Sequence, residues 1–600
     1  MEGSLKVDID NILPIIKKWL YSDKDIFIRE LISNATDAIS KMKYLENNGK
    51  ATNNEGYRID VSINKEEKKL IFSDNGIGLT EEEIEKYIAQ IAFSGAAEFL
   101  NNYQTKSEDD QIIGHFGLGF YSAYMAADLV EIDSLSYKEN SKAAYWQCDG
   151  SSKYFMKEGK RKKRGTDIIL SISETENEYL DAAKIRTLLE KYCLFLPVPI
   201  YLNGSLVNKT PPLWLKSSSE PSKEDYENFH NLLFPLEKKP LFWIHLHADY
   251  PFNLRGILYF PEIDKRTSNE EGLIKLFCNR VFVSSDCKHI LPDYLMILQG
   301  AIDCPDLPLN VSRNHFQADK TVRQLGSYIS KKIADRLISI FTHNKDEFLS
   351  LWKSIEFFVK LGSLQDDKFY NKIKSAIVWK NNKDEMTSLL DYKERNGNTI
   401  YYMPENHISS SIKQLYEDKN IEILICSNNV IDKALFSFLE KEEKVSFRRL
   451  DADINNLISP EGVSVLDSEG KSMSEKMALF FSNKLSNIPV EVKQLQSNKL
   501  PAVLLIKEEE LRLRDFMLFH GQGKENVDDV LKPTLVVNAR NHLAKVAYNL
   551  REKDPELAKL IVQEIYDLAC LSQKEMKESN FNEFLDRTTM ILEKLTSMNL

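Results

Sequence analysis

Six hundred residues are too many for one hydrophobic core and point to three or four domains. With 42% apolar and 28% charged residues the chain is globular rather than disordered, and its net charge of −11 argues against general nucleic-acid binding. The seven cysteines form no Cys-x-x-Cys pair and read as reduced, mostly buried thiols of a cytoplasmic protein; the ten histidines show no metal spacing, and no apolar run reaches transmembrane length.

Residues 10–21 and 27–46 carry helical patterns. In the second, Phe27-Ile-Arg-Glu-Leu-Ile-Ser-Asn-Ala-Thr-Asp-Ala38, the residues Glu30, Asn34 and Asp37 fall within about 60° of one another on a helix. A carboxylate one turn before a carboxamide suits metal–phosphate chemistry: the amide oxygen can ligate Mg²⁺ and the carboxylate can orient or deprotonate a water. Next, 59–63 and 70–72 read as a strand pair, with Asp74 at the end of the second strand and Gly76 and Gly78 allowing a tight turn. A carboxylate there can accept a hydrogen bond from an exocyclic amine such as that of adenine. A polar stretch between Gly95 and Gly114 suits a mobile lid or a disordered loop. Gly114-His-Phe-Gly-Leu-Gly-Phe-Tyr-Ser122 then leads into an apolar stretch, 121–130, read as a helix whose N-terminus could face phosphate. Strands follow at 130–132, 145–148 and 168–171, the last opened by Gly165-Thr166, whose hydroxyl could back up Asp74. The run Lys160-Arg-Lys-Lys-Arg164 reads as a solvated hairpin tip, with a nucleic-acid or localisation role as the alternative. Taken singly, each piece has a plainer reading: a solvated polar stripe, a hairpin turn, a flexible glycine loop, an ordinary strand.

The pattern breaks at Pro211-Pro212, a candidate domain boundary. Strand pairs at 241–247 with 255–260 and 274–277 with 280–283 follow, then helices at 321–343 and 346–361 and an appended α/β unit with strands at 400–403 and 421–425. From about 476 a last domain ends in two helices, the first capped by Asp554 with Pro555 at its first turn, the second opened by Asn580 and Glu583. Leu557, Leu560, Ile561, Ile565 and Leu568 make one apolar stripe; Phe584, Leu585, Ile591, Leu592 and Leu595 make another. Such helices suit a dimer bundle or packing within the domain. The stretch 511–520, with Phe516, Met517 and Phe519, suits loose apolar contacts or core packing.

The order of the four N-terminal pieces resembles the nucleotide-binding domain shared by DNA gyrase, histidine kinases, MutL and the 90-kilodalton heat-shock chaperones. The wording Arg-Glu-Leu-Ile-Ser-Asn-Ala-Thr-Asp-Ala, Asp-Asn-Gly-Ile-Gly, Phe-Gly-Leu-Gly-Phe-Tyr-Ser and Asp306-Leu-Pro-Leu-Asn-Val-Ser-Arg313 is most similar to the last family, in its bacterial branch. The resemblance covers nearly all of the chain and weakens after about 440. It implies an α+β multidomain protein: a Bergerat-type α/β sandwich ATPase domain at 1–210, an α/β middle domain at 211–475 and an α+β dimerisation domain at 476–600.

It further implies an ATP-dependent chaperone, a homodimer through its C-terminal helices, acting on unfolded or partly folded clients, with no nucleic-acid or membrane partner. In the family's terms Asp74 takes the adenine amine with Thr166 and a water behind it, Asn34 holds Mg²⁺ and Glu30 acts on the attacking water. Asp37 and Gly78 complete the pocket. Gly117, Leu118 and Gly119 present backbone N–H groups to phosphate with Phe120 beside them, and Arg313, helped by Gln317, reaches the γ-phosphate from the second domain. Several positions depart from the family pattern: Phe93 stands for a lysine, Ala96 for a threonine, Tyr87 for a polar residue, His115 for a glutamine and Asn314 for a glutamate. These leave a weakly hydrolysing scaffold open as an alternative. A histidine kinase is disfavoured by the lack of a phospho-acceptor region, and a topoisomerase by the acidic charge.

Overall fold

The computed structural model describes residues 23–52, 55–90, 113–114, 118–262, 274–285, 291–307, 320–405, 410–426, 429–450, 452, 458, 472–486, 488–519, 532–573, 576 and 578–597. The expected helix at 10–21, the lid, Gly117, Arg313 and Gln317 lie outside the described residues, as do Phe93, Ala96, His115 and Asn314. The chain falls into two compact units, Met1–Ile333 and Ala334–Leu600.

The first unit is built on an eight-stranded sheet: β1 (Ile59–Asn64), β2 (Lys69–Asp74), β3 (Ala127–Leu135), β4 (Ala144–Cys148), β5 (Tyr154–Glu158), β6 (Gly165–Ile172), β7 (Ile200–Leu202) and β8 (Ser205–Leu206). The spatial order is β5-β4-β3-β6-β2-β1-β7-β8; only β1 and β7 run parallel. The pairing of β2 with β6 sets Asp74 opposite Thr166, and β3 sets Ser134 opposite Thr166 from the other side. Helix α1 (Ile26–Asn47) lies on β2 and beside the helix Ala182–Cys193.

An amphipathic surface helix buries one stripe, yet 15 of the 22 residues of α1 are buried, among them Arg29, Glu30, Ser33, Thr36 and Asp37. The polar face expected from the sequence is therefore not solvated. It looks into protein, and its groups need partners there. On the apolar side Phe27 is fully enclosed, its ring edge-on to Tyr179 at 4.9 Å and to Phe72 of β2 at 6.5 Å.

One local expectation holds only in part. The stretch 121–130 is helical only in its first half, where the 3-10 segment Gly119–Met125 ends; β3 starts at Ala127. Its apolar residues read equally as a buried strand, and β3 pairs on both edges, with β4 and β6.

A second sheet of the first unit comprises β9 (Phe242–Ala248), β10 (Leu254–Phe260), β11 (Ile274–Cys278), β12 (Val281–Ser284) and β13 (Gln299–Asp303), in the order β12-β11-β13-β10-β9. An aromatic cluster of Phe195, Trp214, Phe229 and Phe277 packs the segment after the helix Ala182–Cys193 against β11.

In the second unit, a five-stranded sheet of β14 (Val378–Asn381), β15 (Met386–Ser388), β16 (Thr399–Pro404), β17 (Ile423–Cys426) and β18 (Ser446–Arg449) runs β15-β14-β17-β16-β18. The helix Asn429–Glu443 leads into strand β18. Wholly buried Lys360 sits between Glu356 and Asp432 of that helix. Strands β19 (Val490–Lys493), β20 (Ala502–Leu505) and β21 (Thr534–Asn538) form a separate three-stranded sheet.

The two terminal helices, Pro555–Ser572 and Glu578–Ser597, divide the work of their stripes. Leu557, Ile561 and Ile565 join their own domain's core. On the last helix Phe584 is buried, whereas Phe581, Leu585, Leu592 and Leu595 stay exposed at 44–58%. These four lie three, four or seven residues apart, on one face.

Phe27→Ala should destabilise the first unit by about 3–5 kcal/mol, the usual cost of truncating a fully enclosed ring. Calorimetry should show the unfolding transition of that unit moving down while the other stays in place; a loss below about 1 kcal/mol would mean that α1 is not held through this ring.

Candidate nucleotide site

The site grows out of α1. Glu30 and Asp37 are 6% and 7% exposed, and Asn34 is half-buried between them. Each carboxylate has a defined partner. Arg29, 1% exposed, places Nε at 3.1 Å and Nη2 at 2.9 Å from Glu30 Oε1. A buried ion pair of this kind fixes direction more than it adds stability, and it turns the other oxygen, Oε2, towards the glycine loop. A Cβ on Gly119 would lie 2.5 Å from that oxygen, so only glycine leaves the carboxylate in place.

Asp37 accepts from the backbone N–H of Ile113 and of Gly114, both at 2.7 Å. Its carboxylate thus ties down the entry to the glycine loop. A Cβ on Gly114 would stand 3.0 Å from Asp37 Oδ2 and 3.5 Å from Asn34 Oδ1. Asn34, Asp37 and the loop backbone therefore meet at one spot.

The Asp74 turn rests directly on the same helix. Ile77 N–H donates to the Ala38 carbonyl at 3.0 Å, and a Cβ on Gly76 would strike the Ala38 backbone at 2.5 Å. Gly78, at φ +64°, passes so close to the Leu135 carbonyl that a Cβ would lie 2.0 Å from its oxygen. Asp74 itself is 6% exposed, and Oδ1 accepts from Gly76 N–H at 2.8 Å. Burial pushes its carboxyl up to about 7, against the opposing pull of the Gly76 N–H and the Arg161 guanidinium. A buried carboxylate on a close-packed turn is suited to receive N–H groups from a bound molecule.

Thr166 is buried beside Asp74, and its hydroxyl lies 2.8 Å from that of Ser134, which also accepts from Leu79 N–H at 2.8 Å. The hydroxyl pair links β3, β6 and the turn. Leu118 is half-buried at the start of the 3-10 segment. The Phe120 ring is buried against Tyr121 and Trp146, so only its backbone is left to face a ligand.

The structure thus brings together Glu30, Asn34, Asp37, Gly78, Gly119, Asp74 and Thr166 on α1 and the strand ends packed on it. Arg29 and Ser134 escaped the sequence reading. Arg29 precedes Glu30 directly, and neighbours on a helix do not ordinarily face each other; here the long guanidinium folds back and spans the gap. Ser134 needs the register of β3 against β6.

Residues 23–175 match the histidine kinase-, DNA gyrase B- and HSP90-like ATPase family, and residues 203–599 match the Hsp90 protein family. The chain belongs to the Hsp90 family. The relatives named chaperone protein HtpG include one from Bacteroides thetaiotaomicron, 37% identical over 96% of this chain and 89% of the relative. Another, from Porphyromonas gingivalis, is 42% identical over 77% and 71%, and one from Borreliella burgdorferi is 30% identical over 99% and 100%. This Hsp90 chain is accordingly an ATP-dependent chaperone with an N-terminal ATPase domain, acting on client proteins. No helix among its described residues is long and apolar enough to cross a membrane.

Gly119→Ala should cut ATP turnover by about 10-fold or more, the scale on which misplacing a reacting group is felt. The added methyl meets Glu30 Oε2 and not the Asp74 turn, so turnover should fall more than nucleotide affinity. Phosphate release at the rate of the parent chain would mean that Glu30 tolerates displacement.

Proposed function

We propose that this chain hydrolyses ATP in the pocket of α1 and the Asp74 turn, and that the cycle drives a cytoplasmic homodimeric clamp divided at about 210 and 475. The observation that carries this reading is the buried Asp74 carboxylate packed, through Gly76, onto the helix that bears Glu30 and Asn34. Adenine recognition and phosphate chemistry are then held at a fixed separation by one rigid element.

In this reading Asp74 accepts the adenine amine, with the Thr166–Ser134 hydroxyl pair steadying the strand ends behind it. Gly78 lets the turn close. Gly117, Leu118 and Gly119 offer backbone N–H groups to the phosphates beside the Phe120 backbone, and Asp37 holds that loop. Glu30, steered by Arg29, orients the attacking water and takes its proton as the bond to ADP breaks. The donor set fits Mg²⁺: the half-buried Asn34 amide oxygen reaches the edge of the glycine loop and would hold the ion with phosphate oxygens and water. Bound there, the ion would screen phosphate charge. By the family resemblance Arg313, with Gln317 as its helper, supplies a cation to the γ-phosphate, a contribution of roughly 10³–10⁵ in rate in comparable systems. Hydrolysis then reports whether that loop has arrived.

Glu30→Gln should lower phosphate release by about 10²–10⁴-fold while calorimetry shows ATP affinity nearly unchanged. Asp74→Asn should do the reverse, since a buried mismatch costs on the order of 1–3 kcal/mol. Parental turnover in the first variant, or parental affinity in the second, would remove that residue from its role.

The exposed face of Phe581, Leu585, Leu592 and Leu595 supports assembly through the last helix. Leu585→Asp with Leu592→Asp should yield monomers in sedimentation velocity with helix content intact; a persisting dimer would place the interface elsewhere.

A further inference from the structure

The run Lys160-Arg-Lys-Lys-Arg164 connects β5 to β6; Lys160, Lys162 and Lys163 are exposed, as its composition suggests, but the two arginines turn inward. The Arg161 side chain is only 12% exposed and folds under the end of β2. Nη2 donates to the Asp74 backbone carbonyl at 2.6 Å. Nη1 bonds the Asp167 carboxylate of β6 and approaches Ser73 Oγ at 3.4 Å, and Nε donates to the Lys163 carbonyl at 3.0 Å. The backbone N–H groups of Lys160 and Arg161 are themselves held by Asp133 of β3. Gly165, at φ +121°, closes over the contact: a Cβ there would lie 2.0 Å from the Asp74 carbonyl oxygen and 2.7 Å from Arg161 Nη2. Arg164 caps the next carbonyl, that of Asn75, with Nη2 at 2.9 Å.

We infer that Arg161 is a positioning residue for nucleotide recognition, fixing the peptide that carries Asp74 and setting beside this buried carboxylate a cation that favours its charged form for an incoming amine. The inference rests on the proposed role of Asp74. A carboxylate out of water stays charged only with compensation. Among the described residues the charged side chains that act most on Asp74 are Arg161, which favours the ionised form, and Asp167, which opposes it. Because Arg161 also bridges Asp167, one guanidinium offsets the repulsion and adds the attraction. The backbone N–H groups of Gly76 and Thr166 work in the same direction, while burial works against them and leaves the group titrating near neutrality, at about 7.

The test is ADP affinity, by calorimetry on the full chain between pH 6 and 9, for the parent, Arg161→Gln and Arg161→Lys. The ADP phosphates titrate alike in all three, so a difference in midpoint belongs to the protein. The parent should lose affinity as pH falls through about 7. Arg161→Gln keeps an N–H donor but no charge. Its midpoint should rise by about one pH unit, which is about a 5-fold loss at pH 7 that nearly disappears at pH 9. Arg161→Lys keeps the charge and loses the fork, so its midpoint should stay with the parent. A loss in Arg161→Gln that is equal at every pH, or no loss, overturns the inference. Should that variant fail to fold, an upward-shifted midpoint in Arg161→Lys overturns it instead. Asp74→Asn binding ADP as tightly as the parent throughout would sink the adenine reading itself, whatever Arg161 does.

Discussion

Everything in the N-terminal site depends on α1 being buried while carrying charge. A helix that packs on nearly all sides normally carries apolar residues all round. Here Arg29, Glu30, Thr36 and Asp37 are enclosed with the isoleucines and leucines, and each is satisfied locally. Arg29 and Glu30 pair with each other, Thr36 Oγ1 returns to the Ile32 carbonyl at 2.8 Å, and Asp37 takes two loop N–H groups. An unsatisfied buried polar group costs about 1–3 kcal/mol, and an unpaired charge more. That penalty locks the loop and the helix into one arrangement. The entry to the glycine loop, at Ile113 and Gly114, is therefore held by α1 itself.

The same economy of space explains the glycines that matter. Gly76 lets the Asp74 turn touch the α1 backbone, and Gly119 leaves room for one oxygen of Glu30. In each case a single methyl group would separate two parts of the site. Close approach, more than loop flexibility, is what glycine provides at these two positions.

How far the sequence could be read follows from which interactions are local. The face of Glu30, Asn34 and Asp37 was legible because helical spacing alone sets it, and the β1–β2 pair because two short apolar runs flank the charged turn at 65–68. The second half of the 121–130 stretch was misread because a short apolar run bears no period that separates helix from doubly paired strand. The stripe of Leu557, Ile561 and Ile565 was correctly seen as apolar, but whether it faces its own core or another copy depends on the domain built around it. Arg161 was hidden for the opposite reason: a run of five basic residues has a solvated face as its ordinary meaning, and only the closing of β6 over β2 reveals that this one points inward.

Asp74 shows what such a site costs the fold. An ordinary aspartate ionises near pH 4, whereas burial raises this one to about 7. Between those values the folded state holds a proton that the unfolded chain has released, so stability falls as pH rises across that window and levels off above it. The full penalty of the ionised form, above pH 7, is on the order of 4 kcal/mol by the same linkage. The folded domain carries that deficit wherever the carboxylate is charged, and Arg161 and the Gly76 N–H keep it from being larger. A molecule that donates hydrogen bonds to the ionised carboxylate reverses part of it. In the role proposed for Asp74, the site is held short of its stability optimum by its recognition group, and binding energy at that point serves recognition and folding at once.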